Sequence, residues 1–150
     1  MSGPDVTGAE LARRRHVAPR AAATADVVVT PASAGWRHLW FEVLTLPAGQ
    51  AWEQVDEDKE TCVVVLSGSG VLELAGEEKP FQGRASPFAA LPHALYAPPR
   101  TRFGVFARTA VQLGIGSAAA EGLLTPRFVA PADVKVEMRG GHNVTRQITH

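Results

Sequence analysis

Carboxylate side chains crowd one short stretch of the chain, and their chemistry suits a hard cation. Five acids stand within eight residues: Glu53, Asp56, Glu57, Asp58 and Glu60. Carboxylate oxygens are the ligands that Ca²⁺ and Mg²⁺ prefer, so a cation site is one interpretation of this cluster. The spacing matches no calcium-binding loop, and an acidic surface loop between two strands is the other interpretation.

Arginines form a second group with binding chemistry. Arg100, Arg102 and Arg108 lie close together, and Arg139 and Arg146 stand near the C-terminus. A guanidinium group binds a carboxylate through paired hydrogen bonds, so these residues could clamp a sugar acid. Alternatively, they lie on a solvated edge or form ion pairs with the acidic stretch.

His93 and Cys62 complete the set of reactive side chains near these stretches. His93 precedes an apolar run at 94–96, from which it could reach the mouth of a barrel. A single histidine is more often a hydrogen-bonded structural residue than a metal ligand. Cys62 is the one cysteine of the chain, so it cannot form an internal disulfide. Its place before an apolar run predicts a small buried side chain rather than a reactive thiol.

Short β-type runs separated by turn residues must position these side chains. The runs cover 27–29, 39–46, 61–66, 71–74, 102–107, 111–115 and 133–138, with less regular extended pieces at 81–82 and 94–96. Glycine- and proline-containing turns separate them, and no longer window shows helical spacing. Short strands at spacings of about ten residues predict an all-β, antiparallel sandwich or barrel with negligible helix.

Length and charge narrow the classes of protein. The 150 residues are 45% hydrophobic, which is enough for one core without disulfides. Fifteen basic residues balance fifteen acidic ones, so no net charge would attract nucleic acid or an anionic membrane. No apolar run approaches the roughly 20 residues of a spanning helix, and the N-terminus lacks the order of a signal peptide. We therefore expect a cytoplasmic protein that binds neither nucleic acid nor membrane.

Composition divides the chain into three regions. Residues 1–25 are Ala- and Arg-rich and predict a flexible N-terminal arm, either solvated or packed on a partner subunit. Residues 26–138 contain the β-type runs and predict the barrel, and residues 139–150 predict a polar C-terminal tail. The arm and the Val27–Val29 run could lie across the sheet of a second copy, which predicts a homodimer.

Several segments, in one order along the chain, resemble the N-terminal half of the 5-deoxy-glucuronate isomerase family of myo-inositol catabolism. The segments are Val29–Trp36, Phe41–Val43, Glu60–Gly68, Ala94–Pro99 and Pro131–Val134, followed by Arg139-Gly140 and Arg146-Gln147. That family is a two-domain cupin related to the uronate isomerases. The resemblance implies that this chain is a single cupin-type jelly-roll, that is, a double-stranded β-barrel.

The resemblance also bears on metal binding. In that family a His-x-His pair, a Glu and a last His hold the metal, and they belong to the C-terminal cupin. Here Glu60 corresponds to the cupin glutamate, Phe103 stands about where the last histidine would be, and no histidine lies between Gly49 and Glu60. The resemblance thus implies no metal or other cofactor in this chain, and a divalent metal only if the chain is an active isomerase.

Two functions remain open, and the catalytic residues stay unassigned. One is a relative of the isomerase that acts on a uronate-like sugar; the other is a non-catalytic cupin that binds a small sugar acid or a protein partner. In either case Glu60 is expected to point into the barrel. The expected cavity residues are Glu60, Cys62, His93, Tyr96, Phe103, Arg100 and Arg102.

Overall fold

The computed structural model describes residues 23–150, and its secondary structure is almost entirely β. The strands are β1 Thr24–Val29, β2 Leu39–Leu46, β3 Ala51–Gln54, β4 Lys59–Ser67, β5 Gly70–Leu74, β6 Glu77–Phe81, β7 Ala94–Ala97, β8 Phe103–Ala107, β9 Val111–Ala119, β10 Arg127–Val129, β11 Val136–Gly141 and β12 Val144–Thr149. The described helices are α1 (Pro31–Ala34) and a 3-10 helix (Pro131–Asp133). No helix within 23–150 has the length and apolar character to cross a bilayer.

The predicted N-terminal arm falls mostly outside the described residues. Residues 1–22 lie outside them, and from Thr24 the chain is already in β1. Three strands, β3, β10 and β12, were not among the predicted runs. Each predicted run overlaps a strand, although the runs at 81–82 and 133–138 do so only in part, and β2 matches its predicted bounds.

Two antiparallel sheets face each other across the core. The first has the order β1-β2-β9-β4-β7-β10, and the second has the order β3-β8-β5-β6. Leu44, Val63 and Leu113 of the first sheet pack in one cluster with Leu72 and Phe103 of the second. This arrangement confirms the predicted all-β jelly-roll.

Alternation along β4 assigns the two faces of the larger sheet. Thr61, Val63 and Val65 are buried, whereas Cys62 between them is exposed. Successive side chains of a strand point to opposite faces, so Glu60 shares the outer face with Cys62. Paired residues of neighbouring strands lie on the same face of a sheet. Cys62 pairs with Tyr96 of β7 and with Gly116 of β9, so these two residues also lie on the outer face.

The C-terminal residues form a hairpin rather than an irregular tail. β11 and β12 pair from Val136 opposite Thr149 to Gly141 opposite Val144, and His142 in the turn has a φ of 55°. The side chains along both strands are largely exposed, as a polar segment requires. The strand predicted from residue 133 begins later, because residues 131–133 form the 3-10 helix.

Two loops and one helix terminus surround one end of the barrel, which we call the mouth. The loop at 55–58 lies against the turn at 98–102, where the Arg100 N–H donates to the Asp56 carbonyl at 2.6 Å. Arg100 has a φ of 62°, a left-handed conformation that is uncommon outside glycine. Thr30 follows β1 and is the N-cap of α1. Its hydroxyl oxygen accepts a hydrogen bond from the Ser33 N–H at 3.1 Å.

Candidate functional site

A pocket of about 250 Å³ opens at the mouth of the barrel. Ile115 and Ser117 of β9 contribute to its lining, as do Val28 and Val29 of β1. The other polar or aromatic residues that line it are Thr30, Trp40, Phe41, Glu42, Gln54, Asp56 and Lys59. Side chains from both sheets therefore meet in one small, mixed polar and apolar site.

Asp56 and Thr61 organise the polar side of the pocket. The Asp56 carboxylate accepts from Gln54 Nε2 at 3.0 and 2.9 Å, and from Thr61 Oγ1 at 2.9 Å. Thr61 Oγ1 also lies 2.9 Å from Ser117 Oγ. A carboxylate can only accept, so the Thr61 proton is committed to Asp56 and Ser117 must donate to Thr61. The result is a directed chain of hydrogen bonds from Ser117 through Thr61 to Asp56.

Lys59 is the one cation among the pocket-lining residues. Its ammonium group lies 5.1 Å from the centroid of the Trp40 ring and 3.5 Å from Asp58 Oδ1. A cation–π contact and a nearby carboxylate both hold the charge in place. Glu42 and Asp56 contribute two carboxylates to the same lining, so acidic groups outnumber basic ones.

Glu60 lies on the outside of the barrel, and the expectation that it points inward is wrong. Tyr96 donates its hydroxyl hydrogen to Glu60 Oε2 at 2.7 Å, on the same outer face. Thr61, the next residue, points into the barrel, because the pairing of β4 with β7 and β9 determines which of its side chains face inward. Cys62 is likewise in β4 as expected, but it is exposed rather than buried.

Phe103 and His93 face other parts of the molecule. Phe103 is 1% exposed within the core, and its ring meets Trp52 edge-on with centroids 5.7 Å apart. The His93 carbonyl accepts from the Val65 N–H at 2.9 Å, and burial lowers the pKa of its imidazole. Val65 stands four residues along β4 from Thr61, about 13 Å away at strand rise. His93 therefore lies toward the opposite end of the barrel.

The two arginines expected near the mouth are engaged within the chain. Arg102 pairs with Glu73 at 2.5 Å and lies 3.7 Å from Glu53, one of the five clustered acids. Arg100 directs Nη1 toward the Glu57 carbonyl at 3.4 Å. Of the expected residues, the structure joins only Glu60, Cys62 and Tyr96 in one place, on the outer face.

The side chains at the mouth do not fit a divalent metal. Structural and catalytic metal sites draw on several imidazole, thiolate or carboxylate ligands. Among residues 23–150, no group of three or more His, Cys, Asp or Glu side chains is arranged to hold a metal ion. The Asp56 oxygens face Gln54 and Thr61, which supply hydrogen-bond donors rather than metal ligands.

Sequence reasoning missed Gln54, Thr61 and Ser117, and it placed Asp56 either in a cation site or in an acidic surface loop. One signal was available in the sequence of β9. Val111, Leu113 and Ile115 alternate with Gln112, Gly114 and Gly116, and Ser117 continues the apolar phase toward the mouth, where its cross-strand partner is Thr61. A polar residue at the end of a buried series is the pattern that marks this mouth.

The jelly-roll with a polar pocket at its mouth defines a protein of the cupin fold. Sequence comparison then gives the family, because residues 11–150 match the KduI/IolB family. The chain belongs to this family, which confirms the resemblance seen in the sequence. It is 36% identical over 124 residues to the 5-deoxy-glucuronate isomerase of Geobacillus thermodenitrificans (strain NG80-2) and 33% identical over 124 residues to that of Geobacillus kaustophilus (strain HTA426).

The matched regions cover different shares of the proteins compared. Each Geobacillus alignment spans 81% of this chain but 45% of the relative, so the chain spans about half the length of these relatives. The crystal structure of an IolB-like protein from Salmonella typhimurium LT2 superposes with a TM-score of 0.77 at 29% identity, over 83% of this chain and 48% of that one. A putative glyoxylate induced protein from Pseudomonas aeruginosa shares the fold alone, with a TM-score of 0.59 at 14% identity over 77% of this chain and 44% of that one.

Tyr96 provides a spectroscopic test of the outer-face geometry, because it is the single tyrosine of the chain. Desolvation, and then the hydrogen bond and charge of Glu60, raise the pKa of Tyr96 to about 12. We expect an ultraviolet titration of tyrosinate to show this raised value, and Glu60→Gln to lower it, because the charge of Glu60 and the hydrogen bond to its carboxylate are lost while the desolvation remains. A midpoint near the ordinary tyrosine value that Glu60→Gln leaves unchanged would contradict the contact.

The raised pKa of Tyr96 also determines how the stability of the protein changes with pH. The folded-state pKa lies above the unfolded one, so the stability contributed by Tyr96 is fully present below about pH 10. It is lost as the pH rises through about 12. Glu60→Gln should therefore make unfolding less steeply dependent on pH in this window.

Proposed function

We propose that this chain provides the N-terminal cupin barrel of a sugar-acid isomerase related to 5-deoxy-glucuronate isomerase. Membership of the KduI/IolB family and the names of the Geobacillus relatives support the reaction class. Myo-inositol catabolism in the cytoplasm is the setting we propose, with a uronate-like sugar acid as the substrate of the complete enzyme. The half-length match supports assigning this chain one barrel of a two-barrel enzyme.

We also propose that this barrel does not itself perform the isomerisation. The geometry of the mouth supports this second part of the proposal. Moving a proton between C1 and C2 of a sugar requires a base and a group that stabilises the enediol-like charge. Asp56 is held by Gln54 and Thr61, the Glu42 carboxylate also has an interaction partner, and Lys59 is held over Trp40. We therefore assign the proton-transfer chemistry to residues outside this mouth, supplied by a second cupin barrel.

Isomerase assays on the purified chain test this division directly. We expect no conversion of 5-deoxy-glucuronate above buffer, with or without Mn²⁺, Zn²⁺ or Fe²⁺, when the reaction is followed by NMR. We also expect no stoichiometric transition metal after dialysis, measured by elemental analysis. Supplying the C-terminal half of a Geobacillus relative should restore conversion if the two barrels act together.

Variants distinguish isomerisation by this chain from isomerisation by a contaminating enzyme. Conversion by the isolated chain that disappears in Asp56→Asn but persists in Glu57→Gln would place catalysis at this mouth and contradict the proposal. Glu57 is the matched control, because it is an exposed acid of the same 55–58 loop.

We also propose that the barrel pairs with a second copy through β1. Among residues 23–150 this strand forms one edge of the six-stranded sheet, and its Val27 and Val28 side chains are 43% and 58% exposed. An edge strand presents unpaired N–H and C=O groups that another strand can satisfy. Pairing through this edge would also cover the two valines.

Sedimentation tests the pairing. We expect a dimer at tens of micromolar protein and a monomer for the double variant Val27→Lys, Val28→Lys, because edge lysines oppose strand pairing. Val144→Lys is the control, since Val144 is 65% exposed on the separate hairpin. A monomeric parent protein would reject the pairing, as would a double variant that still dimerises.

A further inference from the structure

A second pocket, of about 440 Å³, opens at the end of the barrel opposite the mouth, and we call it the turn pocket. Its walls come from the turn between β4 and β5 (68–69), the start of the 82–93 loop, and the turn between β8 and β9 (108–110). The Ser69 carbonyl accepts from the Arg108 and Thr109 N–H groups at 2.8 and 3.2 Å, and the Gly68 N–H donates to the Arg84 carbonyl at 3.3 Å. Backbone hydrogen bonds therefore join the first turn to both of the other segments.

Glycine at two positions lets these segments approach each other closely. A Cβ at Gly83 would lie 1.2 Å from the Gly68 carbonyl oxygen, and a Cβ at Gly68, whose φ is 91°, would lie 2.2 Å from the Ala110 carbonyl oxygen. Only glycine tolerates such an approach of one backbone to another. The three segments are thus in direct backbone contact, which gives a pre-formed pocket of the kind that small ligands use.

Arg84 supplies the charge of the turn pocket. Its Nε donates to the Val65 carbonyl at 3.1 Å, and its Nη1 donates to the Pro87 and Ala90 carbonyls at 2.7 Å each. These carbonyls hold the guanidinium group in place but carry no net charge. Among the described residues no carboxylate forms an ion pair with Arg84, and its Nη2 donates to none of them. Burial lowers the pKa of Arg84, so an anion beside this guanidinium would be favourable.

The remaining lining is polar and contains no acid. None of the residues that line the turn pocket is Asp or Glu, and residues 79–120, which supply two of its three walls, contain neither. Ser67 and Gln82 line it as well, and their side chains bond to no other residue within 23–150. A guanidinium group binds a carboxylate or phosphate through paired, charge-assisted hydrogen bonds. A hydroxyl and an amide beside it would bind the hydroxyl groups of the same ligand.

We propose that the turn pocket binds a small hydroxylated organic oxyanion, a carboxylate or a phosphate, with Arg84 as its charged contact. The volume lies within the range of small-molecule sites. The site is at the far end of the barrel from the mouth, and its argument uses only the charge and geometry found there. It is therefore independent of the isomerase assignment.

Glucose, glucuronate and glucose 6-phosphate are matched probes, because they share one ring and differ only in the group at C6. Binding is measured by calorimetry and by ligand-observed NMR on the full chain at low ionic strength, across the millimolar range. We expect saturable binding of glucuronate, glucose 6-phosphate or both, with glucose at least about tenfold weaker because it lacks the charge-assisted bonds. The anion that binds more tightly identifies the oxyanion that the pocket prefers.

A charge introduced into the lining locates the binding. Gln82 is exposed, so Gln82→Glu should fold, and its carboxylate should weaken binding of the anions by about tenfold or more. The control is Ala119→Glu, which makes the same change of net charge at an exposed position at the mouth end of β9 and should leave binding within about twofold. Arg84→Gln should also abolish binding, but it releases the 82–93 loop as well, so the comparison depends on the first pair. Melting temperatures confirm that each variant is folded.

Three results would overturn the proposal. One is the absence of saturable binding of both anions to the parent protein. The second is glucose binding as tightly as the tighter anion. The third is anion binding that Gln82→Glu and Ala119→Glu change equally while both remain folded.

Discussion

The buried hydroxyl group of Thr61 is the interaction on which the mouth of the barrel depends. Thr61 is 1% exposed and is the one buried polar side chain found in residues 23–150. A buried polar group left without a partner costs about 1–3 kcal/mol, so its neighbours must satisfy it. Ser117 and Asp56 do so, and they come from β9 and from the 55–58 loop.

This constraint extends to the surrounding segments. Asp56 can meet Thr61 only if the 55–58 loop folds back over the end of β4. The backbone of the same residue then accepts from Arg100, which joins the 98–102 turn to the loop. Gln54 completes the carboxylate's partners from the end of β3, a strand of the opposite sheet. One threonine thus links both sheets and two loops at the mouth.

The same arrangement determines which chemical groups the barrel presents at its mouth. A fold supports a site without determining its chemistry, which depends on the side chains placed there. Here the Ser117 and Thr61 hydroxyls, the Asp56 carboxylate and the Gln54 amide occupy the polar side of the mouth, and the Phe103 ring packs edge-on against Trp52 in the core. The pocket that remains is suited to hydrogen bonding, and the half-length match to the Geobacillus isomerases leaves the isomerisation chemistry to a second barrel in our proposal.

The fold could be predicted from the sequence more fully than the site. Turn residues and β-branched runs located most strands, including β2 at its observed bounds. The site depended on strand phase, and the apolar run from Val63 to Leu66 shows no alternation from which to determine it. Pairing with β7 and β9 sets that phase, and it directs Thr61 rather than Glu60 inward.

The hairpin at the C-terminus shows a similar limit. Its strands are mostly polar and exposed, so patterning gave no sign of β12 and marked only the first part of β11, within the predicted run at 133–138. The stronger signal was the Gly140-Gly141-His142-Asn143 turn between two β-type segments, which is typical of a tight hairpin.

Urea unfolding of Asp56→Ala, compared with Glu57→Ala, tests most directly whether the mouth is built on the Thr61 network. The network predicts that Asp56→Ala lowers the free energy of unfolding by about 2 kcal/mol or more, because Thr61 loses a charged acceptor and Gln54 loses its partner. Glu57→Ala should stay within about 0.5 kcal/mol of the parent protein, as exposed substitutions usually do. An Asp56→Ala variant as stable as the parent, or more stable, would show that this carboxylate does not hold the mouth together and would contradict the account.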